Sequence, residues 1–138
     1  MSCVLRVRGA NFNVDEFLAK STLQPLIVAR RGQAQYPNGP VPDTSGFHVA
    51  VSDANFSQLQ VQIEDAIRFL ERNQNELARL AASPGIEKLS LDFGIEERSV
   101  AAQTERFPPN LLRAVGALGI WLEFTLYPRH DSSVAGSD

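Results

Sequence analysis

Four separate segments of this chain alternate apolar and polar residues, so each has to lie in a sheet with one dry face and one wet one. Cys3, Leu5 and Val7 point one way while Arg6 and Arg8 point the other, the period of two that marks a half-buried strand. Phe47, Val49 and Val51 alternate with His48 and Ala50, and Leu89, Leu91 and Phe93 with Ser90 and Asp92. In the last segment Ile120, Leu122, Phe124 and Leu126 are expected to face inward, and Trp121, Glu123, Thr125 and Tyr127 outward. A shorter run, Leu26-Ile27-Val28-Ala29, follows Pro25. Alternation, in place of continuous apolar runs, argues for an antiparallel sheet covered on one side only.

The segments between the strands carry helical spacing. Asn13 with Glu16 three residues later makes a capping-box-like start, and Val14, Phe17 and Leu18 follow, which predicts a short helix to about Lys20. Ser57 and Gln60 make a second such box ahead of Ile63, Ile67, Leu70, Leu77 and Ala81. That stripe predicts one helix over residues 58–82, with Glu64 and Arg68, and Glu76 and Arg79, paired on its wet side and Pro84-Gly85 ending it. Pro108-Pro109 opens a third helix whose apolar side is Leu111, Leu112, Val115 and Leu118, up to Gly119. Residues 33–46 contain Pro37, Gly39, Pro40 and Pro42, a composition that excludes regular structure.

The order β-α-β-β-α-β-α-β predicts an α+β fold of two layers. It is an antiparallel sheet of about five strands with helices on one face, a ferredoxin-like plait with an added helix and strand. At 138 residues the chain supports one core; a single domain over residues 1–128 and a disordered tail over residues 129–138, rich in Ser, Gly and Asp, are expected.

Charge and cysteine content narrow the function classes. Thirteen basic against sixteen acidic residues give a net charge of -3, which supplies no electrostatic footprint for nucleic acid or anionic lipid. No window approaches the ~18 apolar residues of a membrane span and the N-terminus lacks the pattern of a signal peptide, so a cytoplasmic location is expected. Cys3 has no second cysteine to pair with and reads as a small core residue. No catalytic, metal or cofactor motif stands out.

Two groups of residues are candidates for binding. Arg30 and Arg31, at a strand end before Gly32, are suited to a carboxylate or phosphate; with His48 as a base and Asp92 as a carboxylate they make up the site of a small enzyme or anion-binding protein, provided the four converge on one pocket. Asp92, Glu96 and Glu97 form an acidic cluster, which reads as a solvated turn. The other group is the wet face of the sheet, where Arg6, Arg8, His48, Trp121, Glu123 and Tyr127 would stand together; aromatic rings and arginines of this kind are enriched at interface centres.

The opening Val4-Leu5-Arg6-Val7, the segment from Asn13 to Leu18, the Arg31-Gly32 turn, the long amphipathic helix, and the closing Pro109-Asn110-Leu111-Leu112, Leu118-Gly119-Ile120 and Leu126-Tyr127 resemble a bacterial family called domain of unknown function 4279. The likeness spans nearly the whole chain and implies a fold and a bacterial origin. It carries no catalytic residues. The expectation is therefore a non-enzymatic interaction or ligand-binding module, a homodimer or an accessory protein such as a toxin-neutralising partner.

Overall fold

The computed structural model describes residues 1–129; the expected tail, with His130, lies outside the described residues beyond Arg129. Five strands, β1 (Cys3–Gly9), β2 (Ile27–Ala29), β3 (Ser45–Ser52), β4 (Lys88–Glu96) and β5 (Trp121–Tyr127), form one sheet in the order β2-β3-β1-β4-β5. Four helices, α1 (Val14–Ala19), α2 (Leu59–Arg72), α3 (Gln74–Ala81) and α4 (Pro109–Ala117), pack against it. The α+β class and the strand number follow the sequence reading. The sheet, however, is mixed: β1 is antiparallel to β3 and β4, β2 is antiparallel to β3, and β5 runs parallel to β4. An antiparallel sheet throughout is thus corrected at one edge. The α4 crossover returns the chain to the starting end of β4 before β5 begins, as neighbouring parallel strands require, and alternation within a strand carries no information about its partner's direction.

Register explains which face is dry. Leu5 lies between Val49 and Leu91, and Val7 between Phe47 and Leu89, so these buried side chains form continuous rows across the sheet. The helices lay Phe17, Ile63, Ala66, Leu70, Leu77, Leu80, Leu111 and Val115 onto those rows in a single core cluster. Phe17 stacks on Phe47 at 5.8 Å between ring centroids.

Helix ends follow local chemistry. At α1 the box-like start forms: Asn13 Oδ1 accepts from the Glu16 N–H at 3.1 Å, and Asn13 Nδ2, in place of its backbone N–H, donates to Glu16 Oε2 at 3.1 Å. At α2 it does not. The N-cap there is Gln58, with no side-chain capping bond; its Oε1 instead accepts from the Asn55 N–H at 3.2 Å and closes the turn ahead of the helix. The single helix expected over residues 58–82 is broken at Asn73, where the backbone leaves helical values at φ -110° and ψ 20° and the Phe69 carbonyl accepts both the Asn73 N–H at 3.0 Å and its Nδ2 at 2.9 Å. The stripe runs on through Leu77 but then falls on Leu80, leaving Ala81 exposed. Arg79 pairs with Glu76 as expected, whereas Arg68 turns to Asp65 in place of Glu64. At the end of α4, Gly119 adopts φ +70°, and the N–H of Ile120 reaches back to the Val115 carbonyl at 2.8 Å, satisfying a carbonyl that the helix leaves open.

The inward face expected for β5 holds only at its beginning. Ile120 is buried and Leu122 packs partly on the core, but Phe124 and Leu126 are 53% and 51% exposed. β5 is an edge strand, and near its exposed end the Phe107 ring stacks against Phe124 at 6.2 Å. No described helix is long and apolar enough to cross a membrane.

Leu91 sits at the centre of the dry face with no exposed surface. Leu91→Ala is expected to lower the unfolding free energy by about 2–5 kcal/mol, the usual cost of a lost buried leucine plus its cavity; urea unfolding followed by circular dichroism checks it.

Candidate functional site

The wet face of the sheet is built by the same alternation that builds the core. Among the described residues no helix covers it. Arg6 lies between His48 on β3 and Ser90 on β4, and Arg8 between Gly46 and Lys88. Trp121 lies beside Ser90, Glu123 beside Asp92 and Thr125 beside Gly94.

The centre of this face is a fixed polar cluster. Asp92 is only 7% exposed even though its face carries no helix. The Arg6 guanidinium donates to Asp92 Oδ2, and Thr125 Oγ1 donates to Asp92 Oδ1 at 2.9 Å. A carboxylate this sheltered has to be paired, because an uncompensated buried charge is expensive. Three strands, β1, β4 and β5, are thereby joined through one side chain.

Lys88 binds the next part of the face. Its Nζ donates to Glu123 Oε2 at 2.7 Å and lies over the Trp121 ring at 5.7 Å from the centroid, within the range of a cation–π contact. The bond from Lys88 holds the Glu123 carboxyl below the usual carboxylate range. Trp121 itself is 64% exposed. At the far end of β5, Tyr127 stacks on Phe56 at 4.7 Å, nearly parallel. Gly94 makes room for that ring: a Cβ there would stand 2.7 Å from it.

His48 is half-buried beside Arg6. Burial, and then the neighbouring guanidinium charge, push its imidazole below the ordinary value of 6.5. It is therefore mainly neutral near neutrality.

Arg30 and Arg31 are elsewhere. Arg30 grips the Asp15 carboxylate with a two-nitrogen fork at 2.8–3.1 Å, which holds the Asp15 carboxyl down and raises the guanidinium further. The Arg31 backbone N–H donates to Ser45 Oγ at 2.9 Å, and its side chain reaches the Ala10 carbonyl at 3.3 Å. Both line a shallow concavity of about 350 Å³ with Asn11, Asn13 and Asp15; His48 and Asp92 do not. The four residues thus occupy two places. The fork on Asp15 also spends the Arg30 charge within the chain.

Cys3 is fully buried and its thiol is pushed far up by burial, which removes its nucleophilic form. Among the described residues, no three His, Cys, Asp or Glu side chains come together to hold a metal ion. The sequence reading gathered Arg6, Arg8, His48, Trp121, Glu123 and Tyr127 on one face, and the register places them there. It missed Lys88, one residue ahead of the alternating run, and it gave Asp92 to the wrong group of partners. Phe56 had no signal, since it lies in a loop and is seated by Gly94.

The family model described as Domain of unknown function (DUF4279) matches residues 1–129. Comparison with curated proteins and with solved structures gave no match.

Removing the Asp92 carboxylate leaves a half-buried guanidinium and the Thr125 hydroxyl without their acceptor. Asp92→Ala is expected to cost about 1–3 kcal/mol in urea unfolding, with Arg6 turning to water limiting the loss. For His48 the folded value is depressed, so the unfolded chain takes up a proton more readily than the folded one. Stability is then complete above the unfolded value of 6.5 and is lost as pH falls through and below it. In a His130→Gln background, the drop in unfolding free energy between about pH 7.5 and about pH 5.5 should be larger with His48 than with His48→Gln. Equal drops in the two proteins would remove the assignment.

Proposed function

The chain belongs to the family called domain of unknown function 4279, and from its geometry we propose that it is a non-enzymatic interaction module whose working surface is the uncovered sheet face around Trp121. The carrying observation is that indole, 64% exposed beside a rigid polar cluster in place of a flexible loop. A large amphipathic ring held over a preorganised surface loses little conformational freedom on binding, which is why Trp, Tyr and Arg dominate interface energetics. Arg6, Arg8 and His48 on one side, and Glu123 and Tyr127 on the other, give this surface a polar and aromatic surround suited to a protein partner.

The same reading extends to the fold. The order β2-β3-β1-β4, with every neighbouring pair antiparallel, supports a ferredoxin-like plait in which α1 and the α2–α3 pair make the two crossovers. On that reading α4 and β5 are an addition at one edge, and the addition brings the exposed tryptophan. Nothing comparable favours an enzyme built on Arg30, Arg31, His48 and Asp92, which do not meet.

The test is retention of proteins from an extract of the source cell by the wild type, by Trp121→Ser and by Leu112→Ser, another exposed apolar position, on α4. Trp121→Ser should stay within about 0.5 kcal/mol of wild-type stability, as an exposed position does, yet lose partners that Leu112→Ser keeps. The same partners on wild type and Trp121→Ser would sink the reading.

A further inference from the structure

The two edges of the sheet are unequal. Edge strands offer unpaired N–H and C=O groups to other chains, and proteins blunt them by shortness, proline or charge. β2 is blunted: it has three residues, with Pro25 just before it and a proline-rich loop soon after. β5 is not. It has seven residues, one charge among them, Glu123, and no proline until Pro128. The Tyr127 carbonyl accepts from the Glu97 N–H at 2.9 Å, so Tyr127 and its alternates Thr125, Glu123 and Trp121 turn their backbone groups toward β4. The N–H and C=O of Leu122, Phe124 and Leu126 then point to the free side. Among the described residues no other backbone group reaches them.

We infer that this edge is occupied by the β5 strand of a second copy of the chain, antiparallel, about a two-fold axis at Phe124. The inference deepens the interaction surface proposed above and rests on that reading, since Trp121 and Tyr127 belong to both. Side chains on one face must oppose one another across an antiparallel pair, which restricts the register to steps of two residues along the partner. With Phe124 opposite its own copy, all seven residues pair. Trp121 meets the partner's Tyr127, and Leu122 meets the partner's Leu126. Glu123 meets the partner's Thr125, so the strand's one charge faces a hydroxyl and keeps its bond to Lys88.

The neighbouring registers are worse for stated reasons. Centring on Glu123 sets two carboxylates against each other. Centring on Thr125 sets Leu122 against Pro128, which has no N–H to donate. The chosen register also continues an aromatic row on the wet face, from Phe56 through Tyr127 to the partner's Trp121. Because the other edge is blunted, pairing closes at two copies and does not propagate.

Light scattering and sedimentation of the full chain decide it. The wild type should have twice the 15.2 kDa chain mass. Phe124→Lys places two ammonium groups opposite each other and should give a monomer with an unchanged circular dichroism spectrum, since Phe124 is half exposed; Leu112→Lys should remain a dimer. Mixing Phe124→Lys with Phe124→Glu should restore the double mass, because only this register puts the two substituted positions in contact. A monomeric wild type overturns the inference, as does a dimer that survives Phe124→Lys or a charge pair that fails to restore it. A chain ending at Arg129 that dimerises where the full chain does not would assign the edge to the C-terminal residues, and also overturns it. A monomer that still loses its partners on Trp121→Ser overturns the dimer alone and leaves the interaction surface standing.

Discussion

The whole arrangement depends on the register of β1, the middle strand, hydrogen-bonded on both sides. A slip of one residue would drive Arg6 and Arg8 into the core and lift Leu5 and Val7 into water, because side chains alternate strictly along a strand. The cost of burying two unpaired guanidinium groups fixes the pairing to β3 and β4 together. Those two partners then carry their own alternation into the same rows, so the dry face and the wet face are set by one choice.

The wet face is more ordered than a bare solvated sheet has to be. Asp92 ties β1 to β4 and β5 through Arg6 and Thr125, and Lys88 ties β4 to β5 through Glu123. These bonds cross strands, and they brace β5, the edge strand paired only with β4. The parallel edge strand has few core contacts toward its end, where Phe124 and Leu126 are open, so polar bonds on the opposite face take over part of the task of holding it. The same bonds fix the surface around Trp121, and stability and recognition thus draw on shared residues.

Much of the fold was legible locally. The Asn13 box, the proline start of α4 and the glycine after it all act within a few residues, and each forms as its chemistry requires. Two of the misreadings lie at the ends of α2. Ser57 and Gln60 had the right spacing, but the loop used Gln58 to close its own turn. Asn73 lies inside the single helix that the stripe predicted, yet the backbone leaves helical values there and its side chain adds a second bond to the Phe69 carbonyl.

Sequence alone determined the class of the protein, the number of its strands, and which residues share each face, because periodicity is a property of the chain and survives any choice of partner. Strand direction, edge position and the meeting of side chains distant in sequence were decided only in three dimensions. Alternation in β5 is the same whether the strand is central or at an edge, and whether its neighbour is parallel or antiparallel. Hence the separation of Arg30 and Arg31 from His48 and Asp92, and the exposure of Trp121, Phe124 and Leu126, follow from how the helices and strands stack and not from any residue's immediate neighbours.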